Sequence, residues 1–221
     1  MVWRLAECIR ILRYEIDSLW PNRERTSDGT IGDAAHATRT SDHNPWIIDN
    51  KGVGVVRAFD ITHDPGNGPD CNKLANHFAE MMRINDKRIS YVIWDRKIMS
   101  LARVGEGWRS YTGSNPHDKH LHISVSTERH WYDSTESWDI LKGPAVFCAF
   151  GENSETVGLY QLKLRALGHY NGKIDDDFGP KTEAAVLALL DSVSSSIDSG
   201  KRIDKWVVHH LDRMLIKEYS G

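Results

Sequence analysis
Cysteine is scarce in this chain. Its 221 residues hold three, Cys8, Cys71 and Cys148, far apart and without a CxxC pair. That spacing excludes a disulfide framework and a cysteine-zinc site, and leaves buried free thiols as the expectation. Positive charge is not in excess either: 28 Lys and Arg stand against 31 Asp and Glu, a net charge of −3. Nucleic-acid binding would want a basic stripe, so no such partner is expected. Long apolar runs are missing as well. A stretch such as Ala145 to Phe150 falls far short of the roughly 20 residues that span a bilayer, so no membrane partner is expected. The first residues, MVWRLAECIRILRYEID, carry Arg4, Glu7 and Arg10 where a signal peptide needs an unbroken apolar centre. The expectation is synthesis in the cytosol without an export signal.

What the chain does have is histidine at close spacing. His117, His120 and His122 fall within NPHDKHLHISV, Asn115 to Val125. The part HLHISV alternates polar and apolar and is rich in β-branched residues, which predicts a strand. Side chains two apart on a strand share a face. His120 and His122 therefore project together, with Leu121, Ile123 and Val125 on the core side. A pair of surface histidines on an edge strand is the bland alternative. Three at this spacing, with more His and Asp upstream, point to a metal site, because imidazole is the commonest zinc ligand.

The length suits one ordinary domain plus a small one. Residues 3–20 have apolar positions at three- and four-residue steps (Leu5, Ile9, Leu12, Ile16, Leu19) and predict one amphipathic helix ended by Pro21. Residues 26–44 are loop-rich and carry His36, Arg39 and His43. GVGVVRAFDITHD, residues 52–64, predicts a single buried strand with Asp60 inside it. A buried Asp must be ion-paired or bound to metal. A helix over 70–84 and two short strands over 88–101, turning near Asp95 and Arg96, follow. Gly143-Pro144 marks a boundary. Beyond it come two more helices, a polar linker over 192–200 and a last helix over 202–218.

SDHNP, GVVRAFDI and HDKHLHISV together resemble the zinc carboxypeptidase and endopeptidase group. That group includes D-Ala-D-Ala peptidases, murein endopeptidases and the hedgehog signalling fold. The nearer resemblance is to endolysins of phages that infect actinobacteria. The group's pattern runs SxH, GxAxD, then a late HxH, and its first His, its Asp and its last His bind zinc. The resemblance thus implies Zn2+ on His43, Asp60 and His122. Asp60 lies seventeen residues after His43, and Asp49, only six after it, stays open as an alternative. Asp60 is preferred for its AxD context with Ala58 and for the strand that aims it. Val56 stands where the motif has Gly, and Lys119 stands three residues before His122, where an acidic base would be. The HxxHxH form is similar to the penicillin-insensitive murein endopeptidases and implies His120 as the catalytic base. His117 would assist or stabilise an oxyanion, and Asp118 is a lesser candidate. Arg39 or Arg57 would hold a substrate carboxylate.

In the tail, Tyr160-Gln161, Leu164, Leu167-Gly168, Ile174-Asp175, Phe178-Gly179-Pro180 and Thr182 resemble the small helical peptidoglycan-binding module. Asp176 replaces its usual Gly, and Leu189-Leu190 its aromatic-Gln pair. The resemblances imply an α+β chain. Residues 1–142 would form a hedgehog/D-Ala-D-Ala-peptidase-like zinc domain, an antiparallel sheet flanked by helices. Residues 143–221 would form an all-α three-helix domain. The implied activity is hydrolysis of peptidoglycan stem peptides, at D-Ala-diaminopimelate or L-Ala-D-Glu, by a monomer made in the host cytoplasm and acting at the wall after release. A virion tail-associated hydrolase and a non-catalytic zinc-containing wall-binding protein are the alternatives.

Overall fold
Alternation in HLHISV builds a strand whose odd-numbered residues Leu121, Ile123 and Val125 are fully buried. In this computed structural model every residue is described except 1, 33–40, 141–145, 196, 198 and 220–221. The chain divides into two units, Met1–Leu141 and Lys142–Gly221.

The first unit runs β1 (Trp3–Leu5), α1 (Glu7–Leu19), β2 (Ile47–Ile48), β3 (Gly54–Val56), β4 (Ala58–Thr62), α2 (Cys71–Arg83), β5 (Ile89–Trp94), β6 (Lys97–Ser100), β7 (Arg109–Ser110), β8 (His120–Val125) and the short α3 (Arg129–Tyr132). Its main sheet is five-stranded and antiparallel, ordered β4-β8-β5-β6-β7. One face packs on α2, which turns Leu74, Phe78, Met81 and Met82 inward. Each fully buried apolar side chain of that size contributes about 1.5–3 kcal/mol. The other face carries the histidines. A smaller sheet, β1-β3-β2, lies beside α1 in the chain.

Two expectations need correction. The helix expected over 3–20 starts only at Glu7, because Trp3–Leu5 pairs in parallel with Gly54–Val56 as β1. The single strand expected over 52–64 is two strands in different sheets, parted at Arg57. The periodicity of WRL fits a helix, but the partner strand decides the outcome. The two-residue turn Asp95-Arg96 has positive φ at both positions, the signature of a type I′ hairpin.

Residues 137–140 close over α1. Glu15 is buried on that helix and accepts hydrogen bonds from Ser137 Oγ, Trp138 N and Ile140 N, each at 2.9 Å. Trp138 Nε1 donates to Cys8 O at 2.7 Å. Hydrogen bonding explains a buried polar helix position here: the carboxylate replaces water for three donors.

The second unit holds β9 (Val146–Ala149), α4 (Glu155–Ala166), α5 (Pro180–Ser192), β10 (Arg202–Asp204) and α6 (Lys205–Tyr219). It is therefore not all-α: β9 and β10 pair antiparallel, and the apolar run before Phe150 is one of the two strands. The helices enclose Val157, Leu164, Phe178, Val186, Leu189, Leu190, Ile203 and Leu211. The polar centre is Gln161, fully buried on α4. Its Nε2 donates to Asp175 Oδ1, Asp177 O and Thr182 Oγ1, and its Oε1 accepts from Asp175 N and Asp176 N. One amide thus fixes the Asp turn and the start of α5. Asp176 takes φ +61°, which explains why glycine suits this position and why Asp, tolerant of that region, can replace it.

The three thiols are free and buried. Burial pushes Cys8 and Cys71 up to about 12 and Cys148 to about 11. At pH 8 all three should stay protonated and unreactive in the native chain, and a disulfide reagent should titrate three thiols only after denaturation. Rapid native labelling of any of them would contradict this packing.

Candidate metal centre
Register brings the predicted ligands together. Asp60 on β4 lies directly opposite His122 on β8, and Thr62 opposite His120. The loop over residues 27–32 then laces onto β4 and delivers His43. Gly29 and Asp60 exchange backbone hydrogen bonds at 2.8 and 3.2 Å, and Gly32 N donates to His43 O at 2.9 Å. A Cβ at Gly29 would meet Asp60 Oδ2 at 2.9 Å, so glycine is needed for this close approach. Asp28 Oδ1 accepts from Thr62 N and Oγ1 at 3.0 and 2.8 Å.

The donor atoms of three residues converge. His122 Nδ1 is 2.9 Å from Asp60 Oδ1 and 3.2 Å from His43 Nε2, and His43 Nε2 is 3.3 Å from Asp60 Oδ2. A tetrahedral ion with ligands at about 2.0 Å has edges of about 3.3 Å. The donor set thus fits zinc in kind and in spacing. His43 Nδ1 faces Thr30 O at 2.8 Å. A carbonyl only accepts, so Nδ1 carries the hydrogen and Nε2 presents its lone pair. His122 Nε2 lies 2.9 Å from Ser124 Oγ, which leaves Nδ1 facing Asp60 and His43, and Tyr91 stacks on its ring at 5.5 Å. Such partners orient the ligands and fix their tautomers.

His117 and His120 complete the wall. Asp60, His117 and His120 form a second cluster with donors within 4.8 Å of one another. His120 Nε2 is 4.0 Å from Asp60 Oδ1 and is buried without a hydrogen-bond partner. His117 sits at φ +53°, an uncommon conformation for a non-glycine residue. The Asp95-Arg96 turn holds it there: Asp95 N donates to His117 O and Arg96 N to Pro116 O, at 3.0 and 2.9 Å. His117 Nδ1 faces Asn115 O at 2.8 Å, so its Nε2 is an acceptor.

Charge follows from burial and partners. Burial alone would raise the Asp60 carboxyl, but hydrogen bonds from His122 and His43 hold it well below the usual carboxylate range. Burial pulls His43 down, and the hydrogen bond and charge of Asp60 outweigh it, leaving a net rise. Burial, then the charges of His122 and His120, pushes His117 down to about 4. Burial lowers His120 as well, against the opposing charge of Asp60. Both rings are therefore neutral at pH 7, as ligands or proton acceptors must be.

The remaining candidates lie elsewhere. Asp49 accepts from Arg4 Nε, Lys51 N and Val53 N in a turn, and Arg4 holds its carboxyl down at about 2. Arg57, read from sequence as a substrate clamp, is buried and committed: Nη2 pairs with Asp42 and Nη1 donates to Val125 O at 2.7 Å. Asp42 also accepts from Tyr91 Oη at 2.9 Å and precedes His43, so these donors of Arg57 brace the segment that carries His43. Arg39 lies outside the described residues. The sequence reading missed Asp28, Gly29, Asp42, Tyr91 and Ser124, whose signals are only a DG pair, the residue before His43, and alternation within the strands.

Two family models match parts of the chain. The model described as VldE, C-terminal domain, covers residues 54–122, a span that includes Asp60, His117, His120 and His122 and begins after His43. A peptidoglycan binding domain model covers residues 153–189, from just before α4 into α5. No curated protein and no solved structure matches the chain. The second match supports a cell-wall-associated protein whose C-terminal unit takes peptidoglycan as its partner. Among the described residues no helix is long and apolar enough to cross a membrane.

Zinc titration of the metal-stripped chain should give one tight site. His43→Ala, Asp60→Ala and His122→Ala should each abolish it, and Asp49→Ala should keep it. Arg57→Ala should keep the site but weaken it about 10- to 100-fold, as loss of an outer partner typically does. Loss of zinc in Asp49→Ala with retention in Asp60→Ala would exchange these two residues in the ligand set.

Proposed function
We propose that this chain is a zinc peptidase of the hedgehog/D-Ala-D-Ala-peptidase type that cuts peptidoglycan stem peptides and serves as a phage endolysin. The observation that carries the reading is the His43–Asp60–His122 cluster with a buried, unpartnered His120 Nε2 beside it. A non-catalytic wall-binding protein would have no use for an unsatisfied imidazole at the metal's edge. The peptidoglycan binding domain match supports the substrate. Synthesis in the host cytoplasm and release to the wall belong to the same proposal.

A zinc ion held by the three ligands would supply Lewis acidity, polarising the scissile carbonyl and acidifying the attacking water. Asp60 and the two imidazoles bind and orient it. His120 takes the water's proton at Nε2 and returns it to the leaving amine, as general base and then acid. Asp60, at 4.0 Å, stabilises the charge that His120 gains on the way. His117 has a narrower role than its sequence suggests. Its Nδ1–H is spent on Asn115 O, so the neutral ring offers only an acceptor and cannot donate to an oxyanion. It orients a donor, the water or a substrate N–H.

His120→Ala should keep one zinc per chain yet lose about 10²- to 10⁴-fold in rate on purified stem peptides. Mass spectrometry of the digest identifies the bond. Full activity in His120→Ala, with Asp118→Ala inactive, would make the base a carboxylate. In sedimentation with purified peptidoglycan, the full chain should pellet. A Gln161→Leu variant, which unbraces the Asp turn in the C-terminal unit, should pellet less while retaining zinc. Equal pelleting of the two would place wall affinity outside that unit's turn.

A further inference from the structure
The histidine face of the main sheet ends in a cation without an acid. Asp60 lies opposite His122, His122 opposite Ile93, Ile93 opposite Ile98, and Ile98 opposite Arg109. Residues directly paired in antiparallel strands share a face. Arg109 therefore stands on the face of the metal cluster, three strands from His122. At about 4.8 Å per strand the two backbones are ~14 Å apart, the length of about four extended residues. Arg109 Nη2 donates to Ser100 Oγ at 2.7 Å, which keeps the side chain on this face. Its Nε is buried and has no hydrogen-bond partner.

The fully buried arginines of this unit are neutralised: Arg23 holds Asp17 and Asp28, Arg57 holds Asp42, and Arg88 holds Asp86. Arg13 also has a buried Nε without a hydrogen-bond partner, but its guanidinium lies over the Phe59 ring, 5.5 Å from the centroid. Glu106 feels the charge of Arg109 but pairs with Arg103. Among the described residues no carboxylate forms an ion pair with Arg109. A half-buried guanidinium with no carboxylate on it attracts an anion at its accessible edge. A planar fork with spare donors suits a carboxylate.

We infer that Arg109 binds a free carboxylate of the substrate, about two to four residues from the scissile bond, and selects stem peptides whose carboxyl groups are not amidated. This rests on the peptidase reading for the identity of the peptide, but not for the anion preference.

The test uses the full chain and two probes, an L-Ala-D-Glu-diaminopimelate-D-Ala stem peptide and the same peptide with its carboxyl groups amidated. Calorimetry on metal-free protein reads binding apart from turnover. Wild type should bind the acid form about 10- to 100-fold more tightly than the amide. In Arg109→Gln that ratio should fall to about one, and Arg109→Lys should restore part of it. With zinc present, the same ratio should show in KM rather than in kcat. A wild type that does not discriminate, an Arg109→Gln that discriminates as well as wild type, or one that weakens both probes equally would overturn the inference, the last by assigning Arg109 only to holding Ser100. Discrimination in binding, with neither probe hydrolysed by the zinc-loaded chain, would leave Arg109 as an anion site and sink the peptidase reading instead.

Discussion
A carboxylate enclosed by imidazoles is the constraint on which the first unit turns. Asp60 occupies the middle of a strand whose neighbours Phe59 and Ile61 are buried in the core. An ion there is tolerated only with close partners. The partners come from two directions: His122 from the adjacent strand and His43 from a segment whose carbonyl is held by Gly32 N. The register of β4 on β8, the glycine at position 29 and the ion pair of Arg57 with Asp42 can all be understood as means of holding that meeting point. A slip of one residue between β4 and β8 would leave Asp60 and the two strand histidines on opposite faces of the sheet, with one or the other turned into the apolar core.

The second unit solves a similar problem without charge. Gln161 satisfies its own amide completely while ordering three consecutive residues of the Asp turn. A buried polar group that is fully paired specifies one arrangement rather than merely tolerating it. This explains why a motif spread over Gln161, Asp175 and Thr182 can be recognised in sequence: its members meet at one point. Leu189 and Leu190, which replace an aromatic-Gln pair, are simply core.

Much of the centre was legible because period two is a strong signal. The placement of His120 beside His122, with Leu121 and Ile123 behind, needs only alternation. Asp60 was legible for the same reason, as a charge in an apolar run. The break at Arg57 was not, because two short strands end to end read as one when nothing local marks the change of sheet. Nor was β1, three residues long, since its partner is some fifty positions away. The partners of Arg57 were not legible, because sequence cannot tell a guanidinium that faces a cleft from one that ties two segments together. Arg109 escaped notice because its place on the histidine face emerges only from three successive pairings.

The clasp of Glu15 on residues 137–140 has a mechanical meaning. If the C-terminal unit grips an insoluble wall, tension along the chain reaches the first unit at residues 137–140. There it meets three hydrogen bonds to one carboxylate on α1 and the indole anchored on Cys8 O. The load is thus handed to the first helix of the unit and bypasses the pairing of β4 with β8. The meeting point of Asp60 with His43 and His122 would keep its geometry while the clasp takes the pull.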